Sequence, residues 1–325
     1  MLKKLYFFFI FFILLNPLHA EFSYRFIQQP DGLKIRVGVW NNPKVENSKK
    51  LLIICPGRAS FIEKNDRLAQ HFSDLGFKVV VIDWRGQGGS DRLVENPQKV
   101  HIDDYQAYIQ DIQKTLEAYH LKDDKIYLVG SSMGAQIVMR FLQDQQLTSQ
   151  YPIEAAVLLV PMFGLKTNPY PPFIARAAAW IATRLGYQDC YCFGYGDFDP
   201  SKDTFERNRN THDRENFERQ KNITHNHPQF ITAGPTFGWL YATFQSIDLV
   251  DHPKRLHLIS TPVFIATAGD DQTVDKTYDA SIAANLKHSV HKVYAGSWHN
   301  IFNETSEIRQ LLLKDVDGFL SDIQD

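Results

Sequence analysis

Cysteine is scarce in this sequence, with three residues in 325, at positions 55, 190 and 192. Three cysteines at these spacings cannot form the paired framework of a small disulfide-rich domain, and they do not match a zinc site. Cys55 lies in an apolar run, as expected of a small buried side chain. A bridge between Cys190 and Cys192 would be strained, because only one residue separates them. We expect two free thiols there, with an unusual local disulfide as the alternative.

An excess of charge of one sign is also absent. The 35 Lys and Arg side chains nearly balance 37 Asp and Glu side chains, for a formal net charge of −2. No basic run stands out, which argues against nucleic-acid binding. The 18 glycines and 15 prolines form no repeat, so collagen-like and low-complexity chains are excluded. The composition is that of a globular protein with one large domain or two.

Long hydrophobic runs are absent except at the N-terminus, where residues 5–15 are uninterruptedly apolar. Lys3 and Lys4 precede this run, and Ala20 supplies a small residue before a cleavage point. The pattern predicts a signal peptide over residues 1–20 and an exported protein, periplasmic or secreted after cleavage. A membrane span needs about 20 apolar residues, roughly twice the length of this run. An uncleaved N-terminus that anchors the protein in a membrane is the alternative.

Downstream of residue 20, short apolar runs alternate with amphipathic segments. Continuous apolar runs of this length are typical of strands buried on both faces of a parallel sheet. Strands that alternate with helices predict an α/β fold with a mostly parallel central sheet and helices on both faces. Ligands bind such sheets at the carboxyl ends of the strands. The predicted strands are 24–29, 34–40, 51–55, 78–83, 125–130, 155–160, 262–268 and 291–295.

No buried strand is predicted between residues 161 and 260, and a segment of that length is too long for a simple crossover loop. We predict that 161–260 is an inserted cap over the strand ends and that 21–160 and 261–325 form the core. Aromatic side chains in this cap either shelter an acyl chain or pack the cap on the core. They are Phe173, Trp180, Tyr191, Phe193, Phe237 and Trp239.

Residues 130–134, Gly-Ser-Ser-Met-Gly, fit the pattern G-x-S-x-G. The match directly follows a predicted strand and directly precedes a predicted helix, the context in which this pattern exposes a nucleophilic serine. Glycines on either side let neighbouring backbone pass without a Cβ clash. The pattern centres on Ser132, so Ser132 rather than Ser131 is the predicted nucleophile. A glycine-rich turn with an incidental serine is the alternative.

A serine hydroxyl needs a base, and the base needs an orienting acid. In this type of fold the chain order is serine, acid, histidine. Asp271 follows the predicted strand 262–268 and is the predicted acid, with Asp270 as the alternative. His299 lies in the loop after the last predicted strand and is the predicted base.

Two backbone N–H groups should hold the oxyanion that forms when the serine attacks a carbonyl. We expect one from Met133, the residue after the nucleophile. The other should come from Arg58, in the Pro56-Gly57-Arg58 loop that follows the predicted strand 51–55. The side chain of Arg58 either meets an anionic head group or faces solvent.

Several segments resemble those of α/β-hydrolases, in the branch of monoacylglycerol lipases and serine aminopeptidases, and are closest to bacterial lysophospholipases. The resemblance implies the α/β-hydrolase fold and the same assignment of nucleophile, acid, base and oxyanion donors. Pro56-Gly57, where soluble lipases often carry His-Gly, favours the lysophospholipase-like subgroup. The matching segments are 55–58 (CPGR) with Glu63-Lys64, 83–90 (DWRGQGGS), 130–134, 234–240 (GPTFGWL), and His299 with Phe302 and Glu304.

The expected activity is hydrolysis of a lipid ester, a lysophospholipid or a monoacylglycerol, through an acyl-enzyme. The implied partners are a small lipid ester and, at most, a membrane surface in peripheral contact. No metal or organic cofactor is required, and the oligomeric state is open. An aminopeptidase-like amidase is the alternative, which would need an acidic cap residue to meet a free α-amine. A non-catalytic binding module is a further alternative.

Overall fold

The computed structural model describes residues 22–324. The predicted signal peptide at 1–20 lies outside the described residues. Within 22–324, none of the helices has the combination of length and hydropathy needed to cross a membrane.

The described residues form one eight-stranded sheet with the order β1-β2-β4-β3-β5-β6-β7-β8. The strands β1 and β2 pair antiparallel, β2 and β4 also pair antiparallel, and every later pairing is parallel. The predicted α/β class and the predicted strands are confirmed, with ends that differ by a few residues. The strands are β1 (Phe22–Gln28), β2 (Lys34–Trp40), β3 (Lys50–Cys55), β4 (Lys78–Ile82), β5 (Lys125–Ser131), β6 (Ile153–Leu159), β7 (Val263–Ala268) and β8 (Ser289–Tyr294).

Helices cover both faces of the sheet. Those that the sequence indicated are α1 (Asp66–Asp74), α2 (Gln106–Tyr119), α3 (Met133–Leu142), α5 (Pro172–Arg184) and α10 (Ser306–Gln324). Those that it did not indicate are α4 (Gln145–Gln150), α6 (Arg214–Asn226), α7 (Phe237–Val250), α8 (Pro253–Leu256) and α9 (Asp279–Asn285). Two of these lack the usual amphipathic signal, because α6 is polar on almost every face and α7 is apolar on most faces.

Successive residues of a strand point to opposite faces, so each of the inner strands β3 to β7 contributes to two separate cores. In β3, Ile53 packs in the core shared with α2, α3 and α7, and Ile54 packs in the core shared with α1 and α10. Cys55 is fully buried in the first core, as predicted. This burial on both faces explains why the parallel strands read as continuous apolar runs.

The chain between β6 and β7 contains α5, α6 and α7 and, in the described part of the chain, no strand of the sheet. Trp239, Ala242 and Val250 of α7 belong to the core that faces α2 and α3. The helix α7 is therefore a core element, although the predicted cap included it. Residues 164–235, here called the cover, contribute side chains to cavities that include Ser132, the residue directly after β5. Cys190 and Cys192 of the cover are both free thiols.

Candidate active site

The turn between β5 and α3 places Ser132 at the carboxyl end of β5. Ser132 has φ 53° and ψ −115°, a strained conformation for a residue with a side chain. A Cβ on Gly130 would lie 2.5 Å from the Cα of Ala135, and one on Gly134 would overlap the carbonyl oxygen of Cys55. Only glycine fits at both positions. The G-x-S-x-G pattern is therefore what permits this tight turn.

Ser132, His299 and Asp271 form a continuous hydrogen-bonded line. The Nδ1 atom of His299 lies 2.6 Å from Oδ2 of Asp271, and its Nε2 atom lies 2.9 Å from Oγ of Ser132. Because a carboxylate can only accept, Nδ1–H donates to Asp271, and Nε2 is then left to accept from the hydroxyl of Ser132. The three side chains come from loops that follow three different strands, and the parallel sheet brings these loops to one edge.

Asp271 is only 4% exposed. Burial works to raise the pKa of this carboxyl. The His299 ring and the backbone N–H groups of Val274 and Thr273, which donate to Oδ1 at 3.0 and 2.7 Å, outweigh burial and hold the pKa below its ordinary value. Asp270, the alternative acid, is exposed to solvent. The structure thus brings Asp271, and not Asp270, to the histidine.

The loop that carries His299 is held by Glu304, whose side chain is fully buried. Glu304 accepts hydrogen bonds from the backbone N–H of Trp298 at 2.7 Å and of His212 at 3.1 Å. The His212 ring also contacts this carboxylate at 3.0 Å and packs on the Trp298 ring, with 3.9 Å between centroids. From the sequence, Glu304 was noted only as part of the family resemblance. Its role in the loop could not be predicted, because its partner His212 lies 92 residues away.

The predicted oxyanion donors lie on either side of Ser132. Met133 is the first residue of α3, so its N–H has no acceptor within the helix. The loop of Gly57 and Arg58 passes directly beside Ser132, since a Cβ on Gly57 would lie 3.3 Å from Cβ of Ser132. Within the described residues, the N–H of Arg58 has no backbone acceptor. Both groups are free to bind a carbonyl oxygen.

Two cavities of different character meet at Ser132. One, of about 300 Å³, is walled mainly by apolar side chains of the cover and α7. The other, of about 420 Å³, is walled mainly by polar side chains and includes His299. Arg58, Ser132 and Thr273 line both. These are called the apolar cavity and the polar cavity below.

Comparison with known proteins agrees with this geometry. A family model described as serine aminopeptidase, S33, matches residues 46–306. The chain belongs to this family. The resemblance that the sequence motifs indicated is therefore confirmed, and the protein is a serine hydrolase with the α/β-hydrolase fold.

Several family relatives match along most of their length. A probable lysophospholipase L2 of Haemophilus influenzae is 26% identical over 309 residues, which cover 94% of this chain and 95% of the relative. Lysophospholipase L2 of Escherichia coli is 27% identical over 292 residues, which cover 86% of this chain and 82% of the relative. The structure of a soluble variant of monoglyceride lipase from Saccharomyces cerevisiae has a TM-score of 0.72, 17% identity, and coverage of 94% and 96%, and it shows the shared fold.

The predicted aromatic set divides in two. Phe193, Phe237 and Trp239 line the apolar cavity. Phe173, Trp180 and Tyr191 do not. Phe173 and Trp180 lie on the outer side of α5, where they are 71% and 47% exposed, and the hydroxyl of Tyr191 donates to Asp197. This placement corrects the prediction that Phe173 and Trp180 contact the substrate inside the site. The side of α5 that faces the cavity carries smaller residues such as Ala175 and Ala178.

The side chain of Arg58 is partly buried and does not extend into solvent. Its Nη1 donates to the carbonyl of Ala233 at 2.8 Å, and its guanidinium lies over the Trp239 ring, 5.6 Å from the centroid. Arg58 therefore stands between the two cavities, with its backbone beside Ser132 and its side chain fixed against the cover.

Proposed function

We propose that this protein hydrolyses the carboxylic ester of a lipid with one acyl chain, a lysophospholipid or a monoacylglycerol, through an acyl-enzyme. The observation that carries the proposal is the line of Asp271, His299 and Ser132, which ends where an apolar and a polar cavity meet. A lipid of this class has the same division, with an acyl chain on one side of the ester and a head group on the other. The names of the two lysophospholipase relatives support a lipid ester substrate.

In the proposed mechanism, Nε2 of His299 takes the proton of Ser132 as Oγ attacks the ester carbonyl. The oxyanion accepts hydrogen bonds from the N–H groups of Arg58 and Met133. Asp271, whose pKa is held low, stays ionised and stabilises the imidazolium. His299 then protonates the departing alcohol, and a water molecule, activated in turn by His299, releases the fatty acid.

The cover and α7 together form the proposed acyl site. Phe193 and Phe237 pack edge to face with 5.2 Å between their centroids, and Trp239 forms the adjoining wall. An acyl chain in this cavity would exchange contact with water for contact with these rings, at about 25 cal/mol for each Å² of apolar surface buried.

The outer side of the cover suggests peripheral contact with a membrane surface, which we include in the proposal. Phe173, Trp180 and Ile181 of α5, and Leu185 directly after it, expose large apolar area. Ile174 of the same helix is exposed and lines the apolar cavity, so this surface continues to the proposed acyl site. Sedimentation with lipid vesicles tests the contact. Trp180→Ala should reduce the bound fraction without changing hydrolysis of a water-soluble ester.

An aminopeptidase-like amidase is the second candidate, and the family description favours it. Such an enzyme needs an acidic group to meet the α-amine of a peptide. Among the described residues that line the two cavities, Asp203 is the only acid, and it lies 3.3 Å from Nε2 of His225. Arg58, Lys64 and Lys221 give the polar cavity the opposite charge. This charge favours the ester substrate over the peptide.

Export is part of the proposal and depends on the N-terminal sequence pattern alone. We propose cleavage after Ala20, with an uncleaved membrane anchor as the alternative. Fractionation of cells that express the full chain, followed by N-terminal sequencing, distinguishes the two. A mature N-terminus at Glu21 in an exported fraction supports cleavage, and an intact N-terminus in the membrane fraction supports the anchor.

Hydrolysis rates on a series of p-nitrophenyl esters with increasing acyl length test the proposed activity. The hydrolysis rate should increase with acyl length up to medium or long chains. Aminoacyl nitroanilides should be cleaved far more slowly than the esters. Ser132→Ala should lower the rate by a factor of about 10⁴ or more. Ser131→Ala is the matched control and should stay active. Faster cleavage of the anilides would support the amidase instead.

A further inference from the structure

The polar cavity has an unbalanced charge that the ester chemistry at Ser132 does not use. Three basic residues, Arg58, Lys64 and Lys221, line it against the single acid Asp203. Asp203 already contacts His225 at 3.3 Å. A partly enclosed cavity with excess positive charge attracts an anion.

Lys64 is the most unusual of these cations. It lies in the short helical turn Ile62–Asn65 after β3, is partly buried, and its Nζ lies 5.4 Å from the centroid of the Phe61 ring. In the described part of the chain, no carboxylate lies within ion-pair distance of this ammonium group. Burial lowers its pKa to about 8, against the opposing influence of Asp203. A partly desolvated ammonium group without a carboxylate partner gains most from an anionic ligand.

The surroundings of Lys64 position it at the site. Its backbone carbonyl accepts a hydrogen bond from Nε2 of Gln220 at 3.1 Å, which ties the turn to α6 of the cover. Lys64 and His299 line the same cavity. The side-chain amides of Asn300 and Asn303 also line the wall and can donate to hydroxyl or phosphate oxygens, whereas the hydroxyl of Thr211 already donates to the carbonyl of Asn303 at 2.6 Å.

We propose that the polar cavity binds the phosphate of a glycerophospho head group, with Lys64 as its main charge partner, so that lysophospholipids are preferred over monoacylglycerols. The inference rests on the proposed ester hydrolysis and narrows its substrate class. In a lysophospholipid, a glycerol backbone separates the ester from the phosphate. With the acyl chain in the apolar cavity, the head group must leave Ser132 on the polar side. A monoacylglycerol would place only hydroxyl groups there, and these cannot neutralise Lys64.

The preference for lysophospholipids is tested with a lysophosphatidylglycerol and a monoacylglycerol that carry the same short acyl chain. Both are kept below the concentration at which they form micelles. The quantity measured is the ratio of their kcat/KM values. Lys64→Met should lower this ratio by about tenfold to a hundredfold, the value of a hydrogen bond to a charged group. Lys64→Arg should restore part of it. Lys122→Met, a change at an exposed lysine outside both cavities, should leave the ratio unchanged.

A binding measurement separates this inference from the hydrolase proposal. Titration of sn-glycerol 3-phosphate into Ser132→Ala, followed by ³¹P NMR, should show saturable binding that glycerol does not compete away and that Lys64→Met weakens. If glycerol 3-phosphate does not bind, or if Lys64→Met leaves the ratio unchanged, the head-group site is wrong even when esters are cleaved. If it binds and wild type cleaves no ester, the hydrolase proposal fails and the phosphate site stands.

Discussion

The core and the cover contribute to the site in different ways. The core places Ser132, Asp271 and His299 at the ends of strands, where backbone geometry leaves little freedom for each side chain. The cover supplies walls of the cavities, with Phe193 on the apolar side and Lys221 on the polar side. We infer that the core determines which bond is broken, and that the cover largely determines which molecule is bound.

The largest expected effect tests the core alone. His299→Ala removes the proposed base for the proton of Ser132, and kcat should fall by a factor of about 10⁴. The free energy of unfolding should change little, because the ring is partly buried and the backbone of its loop is held by Glu304. Single-turnover kinetics with a p-nitrophenyl ester measure the loss. An active variant would show that another group is the base.

The second prediction concerns the strand-to-helix turn of the core. Gly134→Ala should destabilise the protein by about 3 kcal/mol or more, because the added methyl group overlaps the carbonyl of Cys55. Gly318→Ala is the matched control, since a Cβ there meets nothing within 4 Å in the helix α10. It should stabilise by about 0.5 to 1 kcal/mol. Urea unfolding of both variants measures the difference, and equal effects would contradict the packing argument.

The third prediction concerns pH and Asp279, a fully buried residue of the core that accepts a hydrogen bond from Thr267 at 2.6 Å. Burial raises the pKa of Asp279 to about 7, although the bond from Thr267 opposes it. The folded state therefore holds a proton that the unfolded state releases above about pH 4. This contribution to stability is complete below pH 4 and is lost as the pH rises through 7.

The free energy of unfolding of wild type should thus fall, relative to that of Asp279→Asn, by about 3 kcal/mol between pH 4.5 and 7.5. Urea titrations of both proteins across this range measure the difference. His291, which also contacts Thr267 and whose pKa burial lowers, is present in both proteins, so its titration largely cancels. A constant difference across the range would show that Asp279 is ionised throughout.

The smallest effect tests the cover. Phe193 and Phe173 are both 71% exposed, but only Phe193 lines the apolar cavity. Phe193→Ala should lower kcat/KM for long-chain esters by about five- to tenfold and leave short-chain esters nearly unchanged, because it removes apolar contact with the far part of the chain. Phe173→Ala should not change the rate on monomeric substrates. Equal losses in both variants would show that exposure rather than position matters.

The same division explains what could be predicted from the sequence. The inner strands β3 to β7 were visible because burial on both faces makes each a nearly continuous apolar run. Ser132, Asp271 and His299 were visible because each follows a strand in a fixed order. The elements that were missed depend on contacts between distant residues. The apolar surface of α7 has no helical period, and the pairing of Glu304 with His212 leaves no local pattern.

The aromatic residues of the cover show the limit most clearly. The composition indicated an aromatic cap but did not show which aromatic side chains line the cavity. Phe173 lies on α5, and the side of α5 that faces the cavity depends on how this helix packs on α7. Lys64 was noted only as part of a family motif. The surroundings of Lys64 depend on the contact between the turn after β3 and α6 of the cover. The spacing of residues along the sequence does not predict that contact.

Labelling with a fluorophosphonate, followed by peptide mass spectrometry, tests the central claim most directly. The account predicts one adduct per chain on Oγ of Ser132, lost in Ser132→Ala and strongly slowed in His299→Ala. An adduct on Ser131 or elsewhere, or labelling of Ser132 that does not depend on His299, would contradict it.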